Sequence, residues 1–334
     1  MYSSSINISL LDILVIAFLT TVIFSSCNSP NNSKFLEGKN WAEKLGFPEG
    51  KKVLIFHADD VGMCDEANVS TRDYLDKNEI QSAAIMVPCQ YADPAMKWAA
   101  EHPNVDVGLH LTLTSEWKTY RWGPVLDILE VPGLVDNEDK LWHSVKQVVE
   151  HASAEEVERE IRAQIEKAKS AGMNPSHIDT HMGTLYGSPE YVKVFLKVAE
   201  EYGIPANAID LSNSEVAEHF RNAGYPITEE VIANMADYSL PKLDFFSSVP
   251  KGETYEEKRE KFIALIKGLP PGLTEVIFHP SIETDNLKTI TNSWQQRVWE
   301  AELFSDPIVK QFFEDEGILF TNYIDIMKRF KNLN

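Results

Sequence analysis

The sequence predicts an α/β fold in which parallel strands form a closed or nearly closed (β/α) barrel. From residue 51 onward, strand-like and helix-like segments alternate along the chain, and strands that alternate with helices pair in parallel through right-handed crossovers. The first strand, at residues 53–57, is apolar up to Phe56, which is typical of a strand buried on both faces. Six or seven such units over this length favour a barrel with helical insertions over an open sheet.

The strands are predicted where short apolar runs end at polar or turn-forming residues. They lie at residues 53–57, 80–87, 105–113, 176–181, 204–209, 274–279 and 318–320. Helices are predicted at residues 65–77, 93–101, 153–171, 189–202, 255–267, 292–304 and 307–316. The helix at 153–171 begins with a capping-box pattern, Ser153-Ala-Glu-Glu156, and is ended by Gly172. Residues 114–151 are predicted to be irregular, and residues 213–250 to contain helical insertions.

The first 26 residues are predicted to be an export signal. Residues 10–24 are almost wholly apolar and are followed by Ser25-Ser26-Cys27 and a polar stretch. This order resembles a bacterial lipoprotein signal, with cleavage before Cys27 and a lipid on its thiol. It predicts an exported, membrane-anchored protein, periplasmic or at the cell surface; an uncleaved membrane anchor is the alternative. Residues 27–50 are predicted to be a linker, and residues 51–330 a single catalytic barrel domain.

The charge of the chain excludes some partners. The net charge is -20, and residues 1–26 contain a single charged side chain, Asp12, so the chain without them is about as acidic. Such acidity argues against nucleic acid and anionic lipid surfaces as partners. Cys64 and Cys89 lie in two different βα segments, so no disulfide framework is predicted. The sequence also has no glycine-rich phosphate loop, which argues against nucleotide chemistry.

Two adjacent carboxylates, Asp59 and Asp60, follow the first strand. Catalytic groups of α/β folds lie where parallel strands end, so both are predicted at the mouth of a site. Neighbouring carboxylates repel each other, and one is commonly held ionised by a cation while the other is available for proton transfer. A cap for the helix that begins at Asp65 is the structural alternative, but the histidines that end later strands favour a site.

These histidines are His110, the pair His177 and His181, and His279. On a strand, His177, Asp179 and His181 point to one face. Imidazole and carboxylate groups suit a divalent ion such as zinc, and three protein ligands leave one position open for water. A metal makes such a water acidic enough to attack a carbonyl group. A free carboxylate can take the proton of that water, and a histidine can protonate the departing group.

Four ordered motifs resemble those of the YdjC-like carbohydrate deacetylases, which include the diacetylchitooligosaccharide deacetylases. They are Ala58-Asp-Asp-Val-Gly62, Gly108-Leu-His-Leu-Thr112, Ser176-His-Ile-Asp-Thr-His181 and Glu275-Val-Ile-Phe-His-Pro280. The resemblance spans residues 51 to 325. It implies a distorted TIM-like barrel that binds one divalent metal ion, zinc or magnesium. It also implies a hydrolase that removes N-acetyl groups from amino-sugar oligosaccharides.

The resemblance also implies a role for each motif residue. The metal ligands would come from three motifs: Asp60, His110 and His181. Asp59 would be the general base, and His279 the acid or an orienting group. His177 and Asp179 would lie behind the ligands or face the substrate.

This chain departs from the family pattern at two places. Val61 stands where the family has an aromatic or larger apolar residue, which is a minor packing change. Met182-Gly-Thr-Leu-Tyr186 replaces a histidine-rich segment after the strand histidine, so the substrate side of the site is expected to differ from that of the family.

Aromatic residues crowd the irregular segment after His110. Trp117, Tyr120 and Trp122 lie within it, and flat aromatic faces pack well against the apolar faces of pyranose rings. Trp117 and Trp122 are therefore candidate substrate contacts. The alternative is that they tie the segment down.

The sequence thus predicts a metal-dependent hydrolase that deacetylates an N-acetylated oligosaccharide outside the cytoplasm. One alternative is a metal hydrolase on the same barrel that acts on another amide or ester, because fold alone does not separate these reactions. Another is a surface glycan-binding lipoprotein without turnover. Asp59 beside a complete ligand set argues against the second alternative, because a binding protein needs no general base.

Overall fold

In a computed structural model, which describes residues 39–333, seven strands form one curled sheet. In chain order they are β1 (Lys52–Val61), β2 (Ser82–Ile85), β3 (Val107–Leu111), β4 (Ile178–Thr180), β5 (Phe245–Ser248), β6 (Gly272–Phe278) and β7 (Leu319–Phe320). The strand order is β4-β3-β2-β1-β6-β5, and β7 pairs with β1. All of these pairings are parallel.

Two isolated bridges continue the pairing beyond β4. Ile178 pairs with Ala206, and Ile209 pairs with Leu243, which lies just before β5. The strands therefore follow one another around a ring, in which residues 206–209 provide only single bridges. This architecture confirms the predicted distorted α/β barrel.

Helices connect the strands. In chain order they are α1 (Trp41–Lys44), α2 (Asp65–Asp76), α3 (Ala92–Glu101), α4 (Val145–His151), α5 (Ala154–Ser170), α6 (Pro189–Tyr202), α7 (Ser214–Asn222), α8 (Glu229–Asp237), α9 (Tyr255–Gly268), α10 (Asp285–Ile290), α11 (Trp294–Leu303), α12 (Pro307–Glu316) and α13 (Tyr323–Leu333). Short 3-10 helices lie at Pro132–Leu134 and His181–Tyr186. The predicted capping box of α5 is present: the Ser153 hydroxyl accepts from the Glu156 amide, and the Glu156 carboxylate accepts from the Ser153 amide.

Several regions differ from the sequence prediction. The segment predicted to be irregular, residues 114–151, ends in α4, and α10 and α13 lie outside the predicted helices. Residues 213–250 contain the expected helical insertions, α7 and α8, but also β5, whose four residues are only half-buried. The predicted linker at 27–50 contains α1. Ala42 in this helix is buried in an apolar cluster with Leu243 and Leu273. The Asp244 carboxylate accepts hydrogen bonds from the backbone amides of Trp41 and Ala42. The folded part of the chain therefore begins before β1.

The predicted export signal falls on residues 1–26, and Cys27 follows it; both lie outside the described residues. Among residues 39–333, no helix combines the length and the apolar character needed to cross a membrane.

The residues of β1 alternate between two sides of the sheet. Leu54 and Phe56 pack into the large cluster between the sheet and its helices. Val53 and Ile55 pack into the smaller cluster with α1 and α13. Because side chains alternate along a strand, the row that begins with Val53 and Ile55 continues with His57 and Asp59, which lead to the site.

Candidate active site

The two adjacent aspartates share one site because β1 is irregular at its end. In a regular strand, Asp59 and Asp60 would point to opposite faces. The pairing register with β2 shifts at this point, and Asp60 has a φ angle of 61°, a left-handed conformation that non-glycine residues rarely adopt. Gly62, two residues on, has a φ of 89°, and a Cβ atom there would lie 2.9 Å from the Ala92 Cα. The turn therefore brings both carboxylates to the same end of the barrel.

Asp60, His110 and His181 form a cluster with the geometry of a metal site. Their three donor atoms lie within 4.8 Å of one another. Asp60 Oδ1 is 3.6 Å from His110 Nε2 and 3.4 Å from His181 Nδ1. These separations are close to the roughly 3.3 Å expected between ligand atoms that surround a zinc ion at about 2.0–2.1 Å. Within residues 39–333, Asp60 Oδ1 is buried without a hydrogen-bond partner, so the residues fit a metal ion.

A carboxylate lies behind each of the two histidines. His110 Nδ1 is 2.6 Å from Asp179 Oδ1, and His181 Nε2 is 3.1 Å from Glu116 Oε2. Burial alone would lower the pKa of His181, but the Glu116 and Asp60 carboxylates raise it to about 10. Such carboxylates orient a ligating imidazole and make it more basic.

Arg297 on α11 holds the other oxygen of Asp60. Its Nη2 lies 2.6 Å from Asp60 Oδ2, and both side chains are buried. Burial alone would raise the pKa of Asp60, but the positive charge of Arg297 and the neighbouring His181 hold it well below its ordinary value. The carboxylate is therefore ionised, as a metal ligand must be.

Asp59 and His279 lie beside this cluster. Asp59 Oδ1 is 3.1 Å from His57 Nε2, and Asp59 Oδ2 is 3.8 Å from His279 Nε2. The His279 side chain is 26% exposed, whereas Asp59 is 5% exposed, so His279 is the more open to solvent. Glu300 accepts a hydrogen bond from the His279 amide at 2.7 Å and pairs with Lys258 at 2.7 Å. The Asp59 carboxylate and the His279 imidazole thus face each other beside the cluster.

Two of the candidate residues are buried. His177, which is expected either behind the ligands or facing the substrate, is fully buried and stacks on Tyr323, with ring centroids 4.1 Å apart, which fits the first of these positions. Trp122 is only 5% exposed, and its indole donates to the Thr114 carbonyl, so it ties the segment down. Trp117 is half-buried, with the Arg297 guanidinium 5.7 Å from its ring centroid.

Sequence reasoning missed several charged residues of the site. They are His57, Glu116, Arg297 and Glu300. The last two lie three residues apart on α11 and so share a face, but no strand end marks them. A signal was available for His57, which shares a face of β1 with Asp59 at a spacing of two.

We expect Glu116→Gln to weaken metal affinity by about 10- to 100-fold, the usual effect of losing a carboxylate behind a histidine ligand. The measurement is a competition titration of bound metal against a chelator. Glu138→Gln is the matched control, because Glu138 lies in the same segment but pairs with Arg121 in an exposed ion pair. Equal affinities of the two variants would show that Glu116 does not support a metal ligand.

The fold and these residues define an α/β-barrel protein with a candidate metal centre at the carboxyl ends of β1, β3 and β4. The chain belongs to the YdjC-like family: residues 53–315 match the family model described as YdjC-like protein.

Similar proteins include two named carbohydrate deacetylase. The protein of Thermus thermophilus is 30% identical over 271 residues, which cover 80% of this chain and 92% of that protein. The protein of Thermoanaerobacter pseudethanolicus is 25% identical over 272 residues, which cover 81% and 98%. A crystal structure described as a candidate cellobiose-phosphate cleavage protein of Enterococcus faecalis matches with a TM-score of 0.67 and 24% identity, over 82% of this chain and 98% of that chain. This last likeness shows the fold alone.

Proposed function

We propose that this protein is a carbohydrate deacetylase that uses a divalent metal, zinc or magnesium, to remove N-acetyl groups from amino-sugar oligosaccharides. One observation carries the proposal: the cluster of Asp60, His110 and His181 has a separate carboxylate, Asp59, and a more exposed imidazole, His279, at its edge. The relatives named carbohydrate deacetylase support the substrate class.

Asp60, His110 and His181 would hold the metal. When bound, it would polarise the acetyl carbonyl and lower the pKa of a water molecule. Asp59 takes a proton from the water as the water oxygen adds to the carbonyl carbon. The C–N bond then breaks, and the leaving nitrogen takes a proton from His279, which gives acetate and a free amine.

The surroundings of Asp59 suit this role. One of its oxygens lies beside the buried His57, and the other faces the more exposed His279, so one oxygen is directed toward the partly open edge of the site. Glu300 fixes the backbone of His279 through its amide. Positioning of this kind avoids the entropic cost of assembling the reacting groups.

The direct test is acetate release from a panel of N-acetylated oligosaccharides. Purified protein, a chelator-treated sample and the same sample resupplied with zinc or magnesium are compared. We expect release that is lost with the metal and restored with it. Absence of acetate release from every N-acetylated sugar, combined with hydrolysis of another amide or ester, would replace the proposed substrate.

Trp117 is proposed to stack on the sugar ring. We expect Trp117→Ala to raise the KM for longer oligosaccharides by about 2- to 10-fold, in line with roughly 0.5–1.5 kcal/mol for an aromatic contact. Metal content and thermal stability should stay close to wild type. Trp98→Ala is the control, because Trp98 stacks on His102 at the end of α3. A loss of stability without a change in substrate preference would assign Trp117 to packing alone.

We also propose that the protein is exported and anchored by a lipid on Cys27, which the order of residues 10–27 supports. Cys27→Ala should then move the protein from the membrane fraction to a soluble or unprocessed form, as measured by fractionation and mass spectrometry. Unchanged membrane association with an intact N-terminus would indicate a transmembrane anchor.

A further inference from the structure

The geometry points to a second metal site inside the barrel, formed by His57, His177 and Asp179. It lies on the far side of Asp179 from the Asp60 cluster, because one Asp179 oxygen faces His110 and the other faces His57. This inference does not depend on the deacetylase activity. It concerns the number of metal ions that the chain binds.

The three side chains bring their donor atoms together in the barrel interior. These atoms lie within 4.8 Å of one another, and His57 Nε2 is 3.0 Å from Asp179 Oδ2. Both histidines are fully buried. Among the described residues, neither His57 Nε2 nor His177 Nε2 has a hydrogen-bond partner. Buried polar atoms without partners are costly, so the arrangement calls for a bound cation.

Hydrogen bonds at the Nδ1 edge of each imidazole determine which ring nitrogen of His57 and of His177 carries the proton. Ser82 and Ser176 both donate their hydroxyl protons to Asp106, at 2.7 and 2.9 Å. Each serine oxygen must therefore accept from the histidine nitrogen beside it: Ser82 from His57 Nδ1 at 3.0 Å, and Ser176 from His177 Nδ1 at 2.9 Å. In the neutral imidazoles the proton is on Nδ1, so both Nε2 atoms present lone pairs to the interior.

The position of His177 is fixed before any metal binds. Its ring stacks on Tyr323 at an interplanar angle of 15°. On another side, the ring is so close to Gly108 that a Cβ atom there would lie 2.4 Å from the His177 Cε1. A glycine at this point of β3 is therefore needed to make room for the imidazole. A rigid ligand loses little conformational freedom when it binds a metal.

The charges of the interior favour a cation. Asp59 Oδ1 lies 3.1 Å from His57 Nε2, and Glu275 Oε1 is buried without a hydrogen-bond partner among the described residues. Nearby carboxylates can instead stabilise a second proton on His57. Burial alone would lower the pKa of His57, but Glu275 and Asp179 raise it well above its ordinary value. A metal ion and a second proton on His57 would therefore neutralise the same negative charge, and the binding of one would exclude the other. Two imidazoles and one carboxylate suit zinc or a similar transition metal.

The test is elemental analysis of protein purified from zinc-supplemented culture, with all divalent metals counted per chain. We expect two metal ions in the wild type. His181→Gln, which removes a ligand of the first cluster, should retain one ion, and His177→Gln should also retain one. In crystals of the wild type, anomalous scattering at the zinc edge should give two peaks, one of them between His57 and His177.

The counts separate this inference from the proposed function. One ion in the wild type and none in His181→Gln would overturn the second site and leave the catalytic metal intact. One ion in the wild type that persists in His181→Gln but is absent from His177→Gln would support the interior site and overturn the proposed catalytic metal. If His177→Gln does not fold, His181→Gln still decides, because the second site requires it to keep one ion.

Discussion

We expect Asp59→Asn to lower the rate of acetate release by about 10²- to 10⁴-fold, the range typical of losing a general base, while bound metal stays near the wild-type level. Asparagine keeps the size of the side chain but cannot accept the proton of the attacking water. Asp59 contributes no atom to the Asp60, His110 and His181 cluster, so the metal should remain. The measurements are acetate release and metal content on the same preparation.

The companion variant is His279→Ala, which should also keep its metal and lose rate if His279 protonates the leaving amine. Loss of metal from Asp59→Asn, with retention in Asp60→Asn, would mean that the two adjacent aspartates have exchanged roles. Full activity of Asp59→Asn would remove it from the mechanism.

We expect His110→Ala and His181→Ala to lose metal and activity together, because a missing ligand weakens the site that prepares the water for attack. The loss of affinity should exceed the roughly 10- to 100-fold typical of residues behind the ligands. Asp60→Ala should do the same, but it also leaves Arg297 buried without its partner, which costs about 3–5 kcal/mol of stability. The histidine variants therefore give the clearer result.

The measurement is metal content by elemental analysis beside the rate of acetate release. His102→Ala is the matched control, because His102 stacks on Trp98 away from the cluster and should keep both. Wild-type activity in a preparation free of divalent metal would overturn the proposed mechanism.

The barrel could be predicted from sequence because its strands are short apolar runs that end in polar residues. The run that precedes Asp59 shows this pattern most clearly, and β1 indeed contains it. β5 could not be predicted, because its four residues, Phe245-Phe-Ser-Ser248, are half-buried and show neither a continuous apolar run nor an alternation of apolar and polar residues. The predicted strand at residues 204–209 contributes single bridges only.

The site could be predicted as far as it lies on strand ends. Asp60 and His110 lie on β1 and β3, and His181 directly follows β4, and the structure places the three together. Arg297 could not be predicted, because it reaches Asp60 from a helix and its partner is set by tertiary packing. The burial of His177 was also hidden, since strand periodicity gives the face of a side chain but not its depth in a barrel.

The ion pair between Arg297 and Asp60 has a consequence for folding. It joins residues 237 positions apart in the chain, and β1 pairs along its length with β6. Contacts between distant segments form late, because the chain must first close a long loop. During synthesis, the Asp60 carboxylate is thus made early but acquires its arginine only after α11 has emerged from the ribosome. A chain truncated before α11 would therefore contain all three residues of the Asp60, His110 and His181 cluster but would leave the Asp60 carboxylate without its arginine partner.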